Sequence, residues 1–264
     1  MRTIDRRIFG LLLTLSAMAV LAAPDRALAQ SGVQIAHQQE IFLVAVNDAP
    51  PYRIITTDIN GLKSYSGFYI DVAREMARRL DITLRFVDTP FRRALSMMVT
   101  GEADMMLGPN RTAEREAFMV YVEEPLPSEP KSFYRMEGEP DIARYEDLAG
   151  RIIGVQRGSA YFDPFDTDDG LTKFPVGDYD GAFKMLSIGR LDTVIAPTML
   201  GDYLVSHLGL PIVRSTFTAG GRPSYFAVSH FSTANDRASQ FAAVLADMKA
   251  DGTMARIEAR YRGE

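Results

Sequence analysis

The spacing of apolar residues alternates along the chain between the period of a strand and the period of a helix. Ile41 to Val46 is an apolar, β-branched run that predicts a buried strand. From Phe68 to Leu80, apolar residues recur every four positions between charged ones, which predicts an amphipathic helix. The pattern then predicts a strand over Ile82 to Val87, a helix over Phe91 to Val99 and a strand over Ala103 to Leu107. This order indicates parallel strands joined by helical crossovers.

A similar order of elements recurs after residue 147. The predicted elements are a strand at Ile152 to Val155, a helix from about 159, a strand near 174, a helix over 179–188 and a strand at Thr193 to Ala196. A last helix is predicted over about 235–260, with an interruption at Gly252. We find no internal repeat and no linker rich in Pro, Gly or Ser between the two halves. The chain is therefore predicted to be an α/β protein with two closely joined lobes.

The N-terminus has the features of an export signal. Three arginines precede an apolar run from Ile8 to Ala23, and Ala27-Leu28-Ala29 supplies the small residues that a signal peptidase requires. The run has 16 residues, fewer than the roughly 20 of a spanning helix. We expect cleavage after Ala29 and a periplasmic mature protein. The Arg6-Arg7 pair leaves the twin-arginine route open as an alternative to general secretion.

Composition narrows the possible functions. The chain has no cysteine, so we expect neither disulfides nor a lipid anchor on a cysteine. Its formal charge of −5 becomes −7 without residues 1–29, which carry four Arg and two Asp. This acidic balance argues against binding to nucleic acid. No metal-binding spacing, nucleophile elbow or phosphate loop occurs, so neither a metal nor a cofactor is expected.

Four motifs in the right order carry a resemblance to a known family. Phe91 to Leu126 contains a helix, a Gly-Glu-Ala-Asp turn, a buried strand, a Thr-x-x-Arg loop and a Glu-Pro step. The other motifs are Gly67 to Ala73, Asp147 to Val155 and Gly189 to Asp192. Over about residues 40–262 the chain resembles the bacterial extracellular solute-binding proteins of family 3, which include the binders of polar amino acids.

The resemblance implies the type II periplasmic binding protein fold. In this fold two α/β lobes with mixed sheets and flanking helices are joined by a hinge of two strands, here near 124–136 and 215–228. Lobe 1 would comprise residues 40–126 plus 225–264, and lobe 2 residues 130–220. A ligand would bind in the cleft between them. The implied function is that of a monomeric solute-binding component, which delivers a small carboxylate-bearing ligand to the membrane subunits of an ABC transporter.

Arg115 is the first candidate for ligand binding. By resemblance it binds the α-carboxylate of the ligand, and a planar guanidinium can donate two parallel hydrogen bonds to a carboxylate. The alternative is a surface arginine paired with Glu114 or Glu123.

The resemblance brings further residues to the cleft. They are Asn110, Gly108 and Thr112 around the Thr-x-x-Arg loop, and Tyr52 and Phe91 as aromatic walls. In the second lobe, Ser159 opens a predicted helix, whose free N–H groups would favour an anion. An ordinary helix cap is the alternative role for Ser159.

The chain departs from the amino acid binders at the position that receives the ligand's ammonium group. Pro197 stands in place of the acidic residue, and Thr198 follows. An amine would require Asp48, Asp202 or Glu124 from elsewhere. Four arginines also lie on segments near the predicted cleft or hinge: Arg92, Arg111, Arg157 and Arg222. If two of them faced inward, the cleft would suit a ligand with more than one negative charge, such as a dicarboxylate; the alternative is that they lie on solvated loops.

Two other classes of function stay open. Some relatives of these binders resemble cyclohexadienyl dehydratase, a periplasmic enzyme in which a cleft carboxyl acts as general acid. Glu123, Glu124 or Asp166 could supply that group if burial raised its pKa. A sensory module that signals through a separate partner is the third class.

Overall fold

The computed structural model describes residues 39–261. The predicted cleavage site after Ala29 and the Arg6-Arg7 pair lie outside the described residues. Across the described range, no helix combines the length and the apolar character that a membrane span requires.

Residues 39–261 form twelve strands and seven α-helices. The strands are β1 (Ile41–Val46), β2 (Ile54–Thr57), β3 (Lys63–Ser66), β4 (Thr83–Asp88), β5 (Met105–Asn110), β6 (Met119–Tyr121), β7 (Lys131–Met136), β8 (Ile152–Gln156), β9 (Thr172–Val176), β10 (Thr193–Pro197), β11 (Ile212–Ala219) and β12 (Ser224–Ser229). The helices are α1 (Phe68–Leu80), α2 (Phe91–Thr100), α3 (Ala113–Glu116), α4 (Tyr179–Ser187), α5 (Thr198–Leu208), α6 (Ala238–Ala250) and α7 (Thr253–Ala259).

The first sheet has the strand order β4-β1-β5-β12-β6. Its β1 runs parallel to β4 and β5, whereas β12 is antiparallel to β5 and β6. Side chains alternate across the sheet, because successive residues of a strand point to opposite faces. Val44 and Val46 therefore pack with α1 and the C-terminal helices, while Ala45 packs with α2 on the other face.

The second sheet has the order β11-β7-β10-β8-β9. Its β8 is parallel to β9 and β10, and β7 is antiparallel to β10 and β11. Helices α4 and α5 cover one face, where Tyr134 and Phe183 pack with their rings 5.2 Å apart. An aromatic cluster covers the other face, and in it Phe133 stacks on Phe217 at 5.7 Å.

The chain passes twice between the sheets. It leaves the first sheet after Tyr121 and enters the second at Lys131, and it returns between Ala219 and Ser224. This arrangement of two mixed sheets with flanking helices, joined by two segments, is the predicted fold class.

The predicted helix from about residue 159 is wrong. Between β8 and β9 the structure contains turns and a single 3-10 turn, Phe165–Thr167. The physical reason is Pro164, which has no N–H to donate and which disfavours the helical conformation at the preceding residue. The hairpin of β2 and β3 and the helix α5 were not predicted.

Candidate ligand-binding site

A small cavity lies between the two sheets, at the carboxyl ends of β1, β5, β8 and β10. In open α/β sheets, this is the edge at which ligands bind. The cavity has a volume of about 60 Å³. A buried water molecule needs roughly 10–15 Å³ by the same measure, so the cavity has room for a small solute and not only for a single water. Six predicted site residues line it: Tyr52, Phe91, Gly108, Asn110, Arg115 and Ser159.

Arg115 is held in the cavity wall by the one-turn helix α3. The Thr112 side chain caps this helix by accepting a hydrogen bond from the Arg115 backbone N–H. The Arg115 guanidinium donates to the carbonyl oxygens of Asn110 and Gly158, each at 2.7 Å, and lies 5.6 Å from the centre of the Phe91 ring. Burial lowers the pKa of Arg115, although an arginine stays charged in proteins.

Arg115 is not a surface arginine in an ion pair. Its exposed fraction is 5%, and Glu123 instead pairs with Arg111. Two carbonyls accept from two of the five N–H groups that a guanidinium carries. The remaining donors can meet a carboxylate in the cavity.

Asn110 and Arg115 also join the two halves of the molecule. Asn110 Nδ2 donates to the Ala160 carbonyl at 2.6 Å, and Arg115 donates to Gly158. Both acceptors belong to the loop after β8, in the second sheet. The same two side chains therefore face the cavity and connect its walls.

Ser159 lies at the cavity but not at a helix N-terminus, which corrects the predicted anion site there. Its backbone N–H donates to the carbonyl of Gln156, and its hydroxyl donates to the Gln156 side chain at 2.9 Å. Because no α-helix starts at this position, no helix dipole points at the cavity from Ser159.

The aromatic wall depends on a glycine. The rings of Tyr52 and Tyr69 lie 4.9 Å apart. The buried Tyr52 hydroxyl lies beside the Glu129 carboxylate, but no acceptor or donor in residues 39–261 is within 3.5 Å in hydrogen-bond geometry. Gly108 has a φ of +85°, and a Cβ at this position would overlap the Tyr69 ring and approach Arg53 Nη1 to 2.8 Å. Glycine is thus required both by the backbone conformation and by the space that two cavity residues occupy.

Three predicted site residues lie outside the cavity. Asp48 accepts a hydrogen bond from the Ile55 backbone and faces a separate acidic groove. Thr112 caps α3, and Thr198 donates to the Pro130 carbonyl at the crossing between the sheets.

The prediction missed two buried cations that line the cavity. Arg53 is 8% exposed and donates to the carbonyls of Asn47 and Leu107, at 3.1 and 2.6 Å. Lys131 is 4% exposed, and its ammonium group has no hydrogen bond or ion pair among residues 39–261. Burial lowers the pKa of Lys131 to about 8, and the nearby carboxylates of Glu129 and Asp166 oppose that shift.

The four arginines considered for a multiply charged ligand do not line this cavity. Arg111 is bonded to Glu116 and Glu123 at the surface. Arg222 pairs with Asp163 and Asp166. Two others, Arg92 and Arg157, are exposed and line an outer groove.

The carboxyl groups considered for a dehydratase also lie outside the cavity. Glu123 pairs with Arg111, and Glu124 accepts from Lys249. Asp166 faces the outer groove, where burial raises its pKa and Arg222 pairs with it. Instead, the carboxylate that lines the cavity is Glu129, which accepts the Met199 backbone N–H at 2.7 Å.

Two mixed sheets with flanking helices, joined by two crossings around a cavity with buried cations, form the fold of the type II periplasmic binding proteins. Residues 42–264 match the family of bacterial extracellular solute-binding proteins, family 3. The chain belongs to this family.

Relatives share both sequence and fold with this chain. PatH of Vibrio harveyi, assigned as an amino-acid ABC transporter-binding protein, is 25% identical over 204 residues, which cover 75% of this chain and 80% of PatH. The P235GK mutant of ArgBP from T. maritima is 24% identical with a TM-score of 0.73, over 85% of this chain and 96% of ArgBP. An ancestral arginine-binding protein bound to arginine is 24% identical with a TM-score of 0.73, over 85% and 99% of the two chains.

Proposed function

We propose that this chain is the periplasmic solute-binding component of an ABC-type uptake system, and that it binds a small carboxylate-bearing solute in the cavity between its sheets. The observation that carries the proposal is Arg115, a buried cation that lines the cavity and whose guanidinium is fixed by two carbonyls. A guanidinium carries five N–H groups, so donors are left for a carboxylate. The name of PatH supports a transporter partner.

The mechanism is closure of two lobes around the solute. We take lobe 1 as residues 40–126 plus 225–264 and lobe 2 as residues 130–220. Lobe 1 docks the carboxylate on Arg115, and lobe 2 then brings Gly158 and Ala160 against Arg115 and Asn110. The closed form has a different surface from the open one, so membrane subunits that prefer it receive the loaded protein.

The experiment is isothermal titration calorimetry on the protein purified from the periplasm, against amino acids, monocarboxylates and dicarboxylates. Arg115→Ala should weaken binding by at least 30-fold, because truncating one partner of a buried, hydrogen-bonded charge pair costs about 2–5 kcal/mol. Arg111→Ala is the matched control, because Arg111 is exposed and paired with Glu116 and Glu123. Binding that is equally strong in both variants would remove Arg115 from the site.

The same titrations distinguish a binding protein from a dehydratase. Prephenate and arogenate are included, and each mixture is analysed after incubation. Recovery of the bound carboxylate unchanged supports the transport role. Conversion of either compound to its aromatic product would contradict it.

A further inference from the structure

The cavity has more positive charge than one carboxylate can balance. Arg53, Arg115 and Lys131 line it together with one carboxylate, Glu129, which gives a formal net charge of +2. All three cations are buried, with exposed fractions of 8%, 5% and 4%. Burying a charge without a partner is costly, so a protein rarely retains such groups unless something pairs with them.

The neighbouring carboxylates do not pair with these cations. Glu129 accepts a backbone N–H from Met199. Asp166 accepts the Tyr161 backbone N–H at 2.9 Å and pairs with Arg222. In residues 39–261, neither Arg53 nor Lys131 makes a salt bridge: the partners of Arg53 are two carbonyls and the face of the Tyr69 ring.

We propose, on the basis of the proposed function, that the natural solute is a small dicarboxylate, and that Arg53 and Lys131 form a second anion subsite that selects it. One carboxylate binds Arg115. The other binds the pair of Arg53 and Lys131, and the buried Tyr52 hydroxyl, which makes no hydrogen bond within 3.5 Å in the described chain, donates to the solute. With two negative charges, such a solute balances the net charge of the cavity.

The position of the three cations favours two carboxylates over one phosphate. They come from three separate elements: the loop after β1, helix α3 and the first residue of β7. Phosphate sites in proteins typically use several backbone N–H groups that converge at a helix N-terminus or a glycine-rich loop. The loop at Ser159 begins no helix, so this arrangement is lacking there.

A zwitterionic amino acid with a neutral side chain fits the cavity less well. Its carboxylate and ammonium cancel, so the net charge of +2 would stay unbalanced. An acidic amino acid retains the second carboxylate, and Glu129 then faces its ammonium group. The cavity therefore selects solutes by their second carboxylate, whether or not the solute also carries an amine.

The test compares pairs of solutes that differ in one charge and little else. Malonate, succinate and glutarate are each titrated against their monoamides by calorimetry, and L-aspartate is titrated against L-asparagine. We expect at least one diacid to bind tenfold or more tightly than its amide. Lys131→Met keeps the side-chain volume and removes the charge, so it should weaken diacid binding at least tenfold and bring the ratio of diacid to amide affinity towards one.

The exposed Lys184, paired with Asp180, provides the control. Lys184→Met should leave both affinities within twofold, and circular dichroism checks that each variant is folded. Diacid and amide affinities that are equal in the wild type, or a ratio unchanged by Lys131→Met, would overturn the second subsite. Tighter binding of inorganic phosphate than of any diacid would also overturn it. Failure of every carboxylate to bind, monocarboxylates included, would instead contradict the proposed function.

Discussion

The Ser128 hydroxyl donates a 2.9 Å hydrogen bond to the carbonyl of Gly221, which connects the two segments that cross between the sheets. At this point the backbones are so close that a Cβ on Gly221 would overlap the carbonyl oxygen of Glu129. Glu129 also lines the cavity. The contact between the crossings therefore sets the position of a cavity residue.

Gly221→Ala should destabilise the protein and weaken solute binding. The added methyl group has to push the two crossings apart, and overpacking of this kind costs about 1–3 kcal/mol. Gly220→Ala is the control, because no atom lies within 4 Å of the position of its Cβ. Urea denaturation measures the stability of both variants. A Gly221→Ala protein as stable as Gly220→Ala would show that the crossings separate freely.

Gly108→Ala should disturb the cavity more than the same substitution at a glycine of similar φ elsewhere in the chain. The matched control is Gly138→Ala, because Gly138 has a φ of +89° and open space around it, whereas Gly108 has a φ of +85° beside Tyr69 and Arg53. Alanine in this backbone region costs roughly 1–2 kcal/mol, and overpacking adds a similar amount at Gly108.

Melting curves and calorimetry separate the two contributions at Gly108. Both variants should lose stability, while the loss of solute affinity should be confined to Gly108→Ala. Equal affinities in the two variants would contradict the role of Gly108 in positioning Arg53.

The elements that could be predicted are those in which the local pattern and the tertiary environment agree. Helix α1 has the predicted bounds, Phe68–Leu80, because its apolar residues face one core and Gly67 and Asp81 end it on both sides. Strand β1 has the predicted bounds because its apolar residues are buried between two layers of helices. The region after Gly158 was mispredicted because a glycine and a serine directly after a strand resemble the start of a helix. Pro164, five residues after Ser159, opposes a helix there.

The candidate site could be predicted in part, because only some of its residues belong to a recognisable local sequence motif. Arg115 and Asn110 lie in a loop with a recognisable local motif. Lys131 carries no such signal, because it begins β7 and the three residues after it are all buried without alternation. Arg53 reaches the cavity only because Gly108, on a distant strand, leaves room for it. Such positions depend on contacts between remote parts of the chain.

Lys131→Met should stabilise the protein while weakening its binding of diacids. The burial of this ammonium group opposes folding by more than the nearby carboxylates of Glu129 and Asp166 offset. Its removal should raise the free energy of unfolding at pH 7 by about 1–3 kcal/mol. Urea denaturation without added solute provides the measurement, with Lys184→Met as the exposed control. A less stable Lys131→Met protein would show that the ammonium group contributes favourable contacts.

The gain in unfolding free energy from Lys131→Met should become smaller as pH rises above about 8. The pKa of Lys131 is lowered from 10.5 to about 8 in the folded protein, so the unfolded chain holds this proton more strongly. Between these two values the unfolded state binds more protons, and the wild type therefore becomes more stable as pH rises from about 8 to about 10.5. The stability difference between variant and wild type should shrink over this window and stay constant below it.

Diacid affinity should fall as pH rises through about 8. The groups that face Lys131 are the carboxylates of Glu129 and Asp166 and, across the cavity, the two guanidinium groups of Arg53 and Arg115. The arginines stay protonated between pH 6.5 and 9.5, and burial raises the pKa of the Tyr69 and Tyr179 hydroxyls at the cavity wall to about 12. Lys131 is thus the cavity group that changes charge in this range.

Because a carboxylate binds the protonated form of Lys131, the association constant of succinate should be constant below about pH 7.5. Above pH 8 it should fall, approaching tenfold per pH unit. Calorimetry across this range, in buffers of different ionisation enthalpy, also measures the protons taken up on binding. In Lys131→Met the affinity should be lower and independent of pH. A wild-type affinity that stays constant up to pH 9.5 would mean that Lys131 does not bind the solute, even if Arg115→Ala abolishes binding.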